Sequence, residues 1–205
     1  LLRNQYTHKP LFIIGNIQLL NLQKKKLNYQ IKIKKINNNF KISDLMSNKL
    51  PVYNIDYKQK KSFEKISSKS NRYILKCFDE AINLAKSKKI LGFINCPISK
   101  EFLFKKYQGI TEYLSKKSGM SGNEVMLIYN KKLSVSPITT HIPLKQVSAK
   151  IKKTKIIKKV KIINAFYRKI FKKKPNFAIL GLNPHNFSSL KKSEEKKIIY
   201  KAIKS

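Results

Sequence analysis

The stretch NRYILKCFDEAINLAKSKKILGFINCPISK, residues 71–100, decides the fold class. Ile74, Phe78, Ala81, Ile82 and Ala85 recur at three- and four-residue spacing, which predicts a helix over 71–89 with one apolar face. The compact apolar run at 90–94 then predicts a buried strand, broken by Pro97. A helix followed by a strand and a polar cluster, Asn95-Cys96-Pro97-Ile98-Ser99-Lys100, belongs to layered α/β domains. In such sheets, ligands collect beyond the carboxyl ends of the strands.

The same grammar extends in both directions. Upstream, Leu11, Phe12, Ile13 and Ile14 follow Pro10 and stop at Gly15, a strand pattern; residues 17–26 read as a helix ending in Lys24-Lys25-Lys26. Ile31, Ile33 and Ile36 alternate with lysines as in a strand, and Asn37-Asn38-Asn39 marks a turn. Residues 40–69 are polar, with one strand expected around 52–55. Downstream, strands are expected at 124–129 and 133–138 with Lys131-Lys132 in the turn, and a helix over 151–173 with Ile156, Val160, Ile163 and Phe166 on one face. A strand at 177–180 stops at Gly181, and a further helix occupies 192–204. Strands alternating with helices predict an α/β fold with a mainly parallel sheet.

Length and composition narrow the function. The 205 residues are 41% hydrophobic, enough for one large domain or two small ones with a real core. No run reaches the 18 or more apolar residues of a membrane-spanning helix, and Leu1-Leu2-Arg3 opens no signal-peptide pattern. Two cysteines, Cys77 and Cys96, are too few for a disulfide framework and lack metal-ligand spacing. The expectation is a soluble, cytoplasmic protein. Lys and Arg total 46 against 10 acidic residues, a net charge of +36. Taken alone, that charge points to a polyanion partner. Only Arg3, Arg72 and Arg168 are arginines, however, and arginine is the residue suited to bidentate recognition of phosphate and guanine. The lysines are spread evenly among many Asn and Ile residues, so a chain-wide compositional bias accounts for them better than a nucleic-acid surface.

Candidate chemistry gathers at three expected strand ends: residues 95–100, Thr139-Thr140-His141-Ile142-Pro143-Leu144, and Gly181-Leu182-Asn183-Pro184-His185. His141 and His185 each stand beside a proline, and two such loops on neighbouring strands could converge on one ion; a structural or surface role is the alternative. His8 reads as a surface residue. Ser99 and Lys100 suit a phosphate at a helix N-terminus, but sequence alone favours an ordinary cap with one lysine among 43. Thr111 can cap a helix or touch a ligand. Cys96 reads as a small buried hydrophobe rather than a nucleophile, and Glu194-Glu195 as acids in the first turn of a helix. Neither common nucleotide-binding glycine fingerprint is present.

Taken in order, these clusters resemble the 4-hydroxythreonine-4-phosphate dehydrogenase family of pyridoxal phosphate (vitamin B6) biosynthesis. The matching residues are 96–100, Gly109-Ile110-Thr111-Glu112, Val125-Met126-Leu127, 139–144 with Val147, 181–185, and Glu194-Glu195. The resemblance is sharp over about residues 90–195 and covers the central three-fifths of a family member. It implies an isocitrate/isopropylmalate-dehydrogenase-like three-layer α/β/α fold, incomplete at both ends here. Residues 1–205 would then form the central part of a two-domain dehydrogenase, with the boundary between the lobes unresolved by sequence.

The implied reaction is NAD-dependent oxidation of 4-phosphohydroxy-L-threonine, assisted by a divalent cation of the Zn, Mg or Co class. Decarboxylation then gives 3-amino-2-oxopropyl phosphate. The resemblance implies that His141 and His185 bind the metal at a homodimer interface, that Thr111 contacts substrate, and that Ser99 and Lys100 serve substrate binding and catalysis. It assigns no NAD-contacting residue.

The departures from the family pattern also carry expectations. Ile110 stands where the family has a substrate-binding histidine, and Asn186-Phe187-Ser188 replaces Ala-Gly-Glu after His185. The third metal histidine has no counterpart in the chain. The fragment alone is therefore expected to be inactive. The alternatives are an inactive remnant, a lysine-rich polyanion-binding protein, or a relative that oxidises a phosphorylated sugar acid.

Overall fold

The computed structural model describes residues 10–46, 48–99, 109–183 and 193–205. They fall into two compact units, one within Leu1–Gly109 and one within Ile110–Ser205.

The first unit is built on the alternation read from the sequence. Strand β1 (Ile13–Gly15) leads into α1 (Ile17–Lys26), whose first turn is capped by Asn16 and whose last turn carries Lys24, Lys25 and Lys26. Those lysines complement the negative end of the helix dipole. Strand β2 (Ile33–Ile36), the single turn α2 (Ile42–Leu45) and strand β3 (Leu50–Asn54) follow. Asp44 accepts the Lys41 backbone N–H at 2.8 Å and pairs with Lys34 at 2.8 Å, which fixes α2 against β2. These contacts hold the Asp44 carboxyl below its ordinary pKa, the Lys34 hydrogen bond first and the Lys41 backbone second. The helix of the opening stretch, α3, is Ser68–Lys86, three residues earlier at each end than the apolar stripe implies. Ser67 caps it by accepting the Ser70 N–H at 3.3 Å.

The sheet runs β1-β3-β2 with both pairings parallel. Its centre is β3, where Val52 is fully buried. Proline is rare in a central strand because it has no N–H for the ladder. Here the register resolves the difficulty. Leu50 donates to Lys32 on the β2 side at 2.7 Å, so the next N–H position, Pro51, faces the β1 side. The β1 pairing begins only at Ile13↔Val52, so no ladder bond is lost. Phe78, Ala81, Ile82 and Leu84 of α3 are buried, and Tyr73 joins the helix to the sheet by accepting the Asn16 N–H at 2.8 Å. That approach leaves little room at Gly15, where a Cβ would stand 3.2 Å from the Tyr73 hydroxyl.

The second unit contains α4 (Ile110–Ser118), a 3-10 turn (Leu144–Gln146) running into α5 (Val147–Lys150), and α6 (Lys153–Phe166). The last turn of α6 widens into a π-helical turn, Tyr167–Phe171. A second π-helical turn, Glu195–Ile199, leads into α7 (Tyr200–Ile203). Ile151, Ile156, Ile199 and Ala202 form the core. The expected helix over 151–173 is thus present with its last turn rewound.

Four expected strands differ. Residues 90–94 and 177–180 are irregular, with Leu91, Ile94 and Leu180 exposed. The segments at 124–129 and 133–138 share only one antiparallel bridge, Ile128↔Val135. A run of apolar residues becomes a strand only where a neighbouring ladder accepts its backbone groups, and no such neighbour lies beside them among the described residues. The bridge is instead steadied by aromatic contacts. Tyr129 stacks on Phe171 at 4.9 Å, and Tyr167 donates its hydroxyl to Ser134 at 2.8 Å. Among the described residues no helix is long and apolar enough to cross a membrane.

Candidate functional site

Two of the sequence clusters meet in the second unit. Thr111 and Glu112, in the first turn of α4, line a cavity of about 280 Å³ together with Thr140. Gly122, Glu124 and Met126 supply another wall, and Lys155, Lys158, Lys159 and Ile162 of α6 a third. Lysines 155 and 159 are one helical turn apart and so share a face.

The polar groups of this cavity are unevenly satisfied. Glu124 accepts the Ser115 hydroxyl at 2.7 Å. Burial raises its carboxyl pKa, but the Ser115 bond and backbone N–H groups outweigh that and leave it below the ordinary value. Lys159 donates to the Pro137 carbonyl at 2.8 Å. Its ammonium is held below the ordinary lysine pKa, first by burial and then by the charge of Lys155. One carboxylate oxygen of Glu112, Oε2, is buried with no hydrogen-bond donor among the described residues.

His141 follows Thr140 directly. It is exposed and takes a left-handed backbone, φ 53°, a conformation rare for residues other than glycine but enriched in histidine and asparagine. Ile110 opens α4 and is half-buried. Ser99 is half-buried on an irregular segment of the first unit. Lys100, His185 and His8 lie outside the described residues. Among the described residues no group of three or more His, Cys, Asp or Glu side chains could hold a metal ion. A lone imidazole does not make a catalytic metal site, which takes about three protein ligands.

The cysteines divide by environment. Cys96 is exposed, contrary to the buried role expected from its apolar neighbours, because the 90–98 segment joins no sheet among the described residues. Cys77 is the half-buried one, and burial pushes its thiol up to about 11, far from a nucleophile's range.

The third cluster is held by a residue whose role spacing did not reveal. Glu195 stands in the first turn of its helix, as expected, and there its Oε1 accepts the backbone N–H groups of Leu182 at 3.0 Å and Asn183 at 3.1 Å. Its neighbour Glu194 accepts the Ser148 hydroxyl. Backbone donors, its own N–H first and that of Asn183 next, hold the Glu195 carboxyl below the ordinary carboxylate range. A pKa depressed on folding gives stability that is present above the unfolded value, about 4.3 for glutamate, and lost as pH falls through the folded one. The amides of Leu182 and Asn183 should therefore be protected from hydrogen exchange at neutral pH and lose protection in acid, below the unfolded value. Glu195→Gln, which keeps a carbonyl acceptor but cannot ionise, should flatten that profile. An unchanged profile in Glu195→Gln would show that the carboxylate does not hold the turn.

The missed wall of the cavity, Lys155 and Lys159, had a signal in principle. Both sit beside the buried face of an amphipathic helix, where lysine is out of place. Among 43 lysines that signal is lost.

Comparison with known proteins completes the picture. The family model for the pyridoxal phosphate biosynthetic protein PdxA matches residues 7–205. The 4-hydroxythreonine-4-phosphate dehydrogenase of Sulfurihydrogenibium sp. is 35% identical over 198 residues, which are 94% of this chain and 60% of that protein. The protein of the same name from Sulfurimonas denitrificans is 33% identical over 201 residues, 96% of this chain and 57% of the relative. The crystal structure of the Klebsiella pneumoniae 4-hydroxythreonine-4-phosphate dehydrogenase matches with a TM-score of 0.80 at 20% identity, covering 97% of this chain and 62% of that one. That of Burkholderia phymatum matches with a TM-score of 0.79 at 23% identity, over 94% and 60%. At such identities the structural likeness establishes the fold, an α/β architecture consistent with three α/β/α layers. The chain spans about three-fifths of the length of these relatives.

Proposed function

Since the chain belongs to the family of the pyridoxal phosphate biosynthetic protein PdxA, we propose that it serves the dehydrogenase reaction for which its relatives are named. The substrate is 4-phosphohydroxy-L-threonine. Its secondary alcohol loses a hydride and a proton, and the resulting β-keto acid releases carbon dioxide to give 3-amino-2-oxopropyl phosphate. The observation that supports this reading is the meeting of two family clusters, 109–112 and 139–144, through Thr111 and Thr140 at one cavity.

Each residue has a defined part in this proposal. The Thr111 hydroxyl hydrogen-bonds the substrate. Ile110 precedes Thr111 at the start of α4, and its apolar side chain cannot supply a histidine's hydrogen bond. Ser99 and Lys100 belong to the family motif at 96–100, and the resemblance assigns them to substrate binding and catalysis, Lys100 as the catalytic group. His141 is suited to be a metal ligand by its exposure, with His185 as the second, and further ligands must come from elsewhere because one described imidazole does not hold an ion. When bound, NAD would supply the hydride acceptor and a divalent cation would supply a Lewis acid for the substrate oxygen. The working form is a cytoplasmic homodimer.

The test is NADH formation by the purified protein with 4-phosphohydroxy-L-threonine, NAD and a divalent cation. Residues 1–205 alone are expected to be inactive; turnover is expected where they stand within a polypeptide of the relatives' full length, and there Thr111→Val should lower kcat/KM by roughly 5- to 150-fold, the loss of one hydrogen bond to a group left unpaired in a closed site. Absence of turnover at every metal tried would leave a remnant that keeps the family fold without its chemistry. Turnover only with a phosphorylated sugar acid would reassign the substrate.

A further inference from the structure

The bridged ribbon of the second unit has one face covered and one face bare. Ile128 and Val135 exchange both backbone hydrogen bonds, at 2.8 and 2.9 Å, so they stand opposite each other on the same face. Alternation along the paired chain puts Leu133 on that face too. Tyr129 and Ser134 occupy the other face, where they meet Phe171 and Tyr167 at the end of α6. The bare face is aliphatic: Ile128 is 62% exposed, Leu133 72% and Val135 53%. Contiguous exposed apolar surface marks an interaction site.

Charge says what the partner is. Lys131 and Lys132, both exposed, form the tip of the ribbon beside Leu133. Behind it the widened turn of α6 exposes Arg168 and Lys169, and the three lysines at 172–174 follow. The lysines of this protein are spread evenly, but its carboxylates are not. Between Glu124 and Glu194 the sequence has 17 Lys and Arg residues and no Asp or Glu. The carboxylates of this unit are turned elsewhere: Glu112 and Glu124 line the cavity, Glu194 accepts the Ser148 hydroxyl, and Glu195 holds Leu182 and Asn183. An aliphatic face edged by lysine and free of carboxylate matches a surface that is anionic outside and apolar beneath. Single-stranded nucleic acid matches less well, because aliphatic side chains offer no ring for a base to stack on and only one of these cations is an arginine.

We propose that the ribbon face of Ile128, Leu133 and Val135 docks on an anionic phospholipid bilayer, with Lys131 and Lys132 at the headgroup phosphates. No helix needs to cross the membrane for this; the contact is interfacial. Long lysine stems let the ammonium groups stay among the headgroups while Leu133 enters the acyl boundary.

The experiment is co-sedimentation with vesicles of phosphatidylcholine alone and of phosphatidylcholine with phosphatidylglycerol, three parts to one, at an ionic strength of about 0.15 M. Residues 1–205 and a polypeptide of the relatives' full length are both tested. Each should bind the mixed vesicles and not the neutral ones. Lys131→Gln/Lys132→Gln should weaken binding about 5-fold per lysine, and Leu133→Ser by a similar factor. These side chains are exposed, so the urea midpoint should stay that of the parent. Lys24→Gln/Lys25→Gln, at the end of α1, removes the same charge from the first unit and should leave binding within about 2-fold. Equal weakening by the two double variants would mean that only the general charge is felt, and would overturn the proposal. Unchanged binding in Leu133→Ser would do so as well. Binding by residues 1–205 that is lost in the longer polypeptide would mean that the rest of the protein covers this face. A drop in oligomer mass in Leu133→Ser with vesicle binding intact would give the face to a second copy. Retention of an RNA oligonucleotide through Lys131 and Lys132, without vesicle binding, would give it to nucleic acid. Each of these three results would also overturn the proposal.

Discussion

Val52→Asp is expected to unfold the sheet of the first unit. Val52 is fully buried in β3 and paired on both sides, with Ile13 of β1 and Lys35 of β2. A carboxylate there has no water and no donor of its own. Lys35, its register partner, is exposed, and to pair with the new charge it would have to bury its own ammonium. An uncompensated buried charge costs about 3–5 kcal/mol, against a typical domain stability of about 5–15 kcal/mol. Urea denaturation followed by circular dichroism should show the midpoint fall sharply, or the first transition vanish. Val52→Ala should show a smaller loss, since it removes only apolar contact. A Val52→Asp protein with the parent midpoint would mean that β3 is not the centre of the core.

Asn16→Ala should be the next most damaging of the changes considered. Asn16 is 3% exposed and sits where β1 turns into α1. Its Oδ1 accepts the Leu19 N–H at 2.8 Å, and its Nδ2 donates to the Ile55 carbonyl at 3.0 Å, just past the end of β3. Alanine removes the helix cap, worth about 1 kcal/mol, and leaves a buried carbonyl without a donor, worth about 1–3 kcal/mol. The combined loss is roughly 2–4 kcal/mol. Asn16→Ser keeps a cap acceptor and loses the donor to Ile55, so it should fall between parent and alanine. Equal stabilities for Asn16→Ser and Asn16→Ala would show that the cap contributes nothing and the Ile55 bond everything.

Much of the first unit was legible because its signals are local. A lysine run ends α1, an asparagine turn follows β2, and the apolar stripe of α3 needs no knowledge of its partners. Ile90 to Ile94 and Phe177 to Leu180 carry equally good strand patterns, yet a pattern supplies only one side of a ladder. The short helix α2 depends on Asp44 reaching back to Lys41, a contact that no apolar period announces. The widened turn after α6 was equally silent, because π-helical and α-helical turns use the same residues.

The site divides in the same way. Thr111 and Thr140 were visible as parts of ordered motifs, and the structure brings both to one cavity. It does not bring Ser99 into a regular strand end, and it does not describe Lys100 or His185. Glu195 was legible as a helix-end acid, whereas its hold on Leu182 and Asn183 required the folded chain.

The central place of β3 has a consequence for how the polypeptide is made. β1 and β2 pair with β3 and not with each other, and β3 is the last of the three to be synthesised. Until it emerges, the first two strands have no native partner among the described residues, and their backbone edges are open to other chains. Once β3 is available, β2 closes the shorter loop, so that pairing forms first and β1 docks afterwards. During the wait, Lys32, Lys34 and Lys35 flank and interrupt the isoleucines of β2 with repelling charges, guarding the nascent edge against aggregation. Some of the excess lysine in this protein thus protects it before it has a fold.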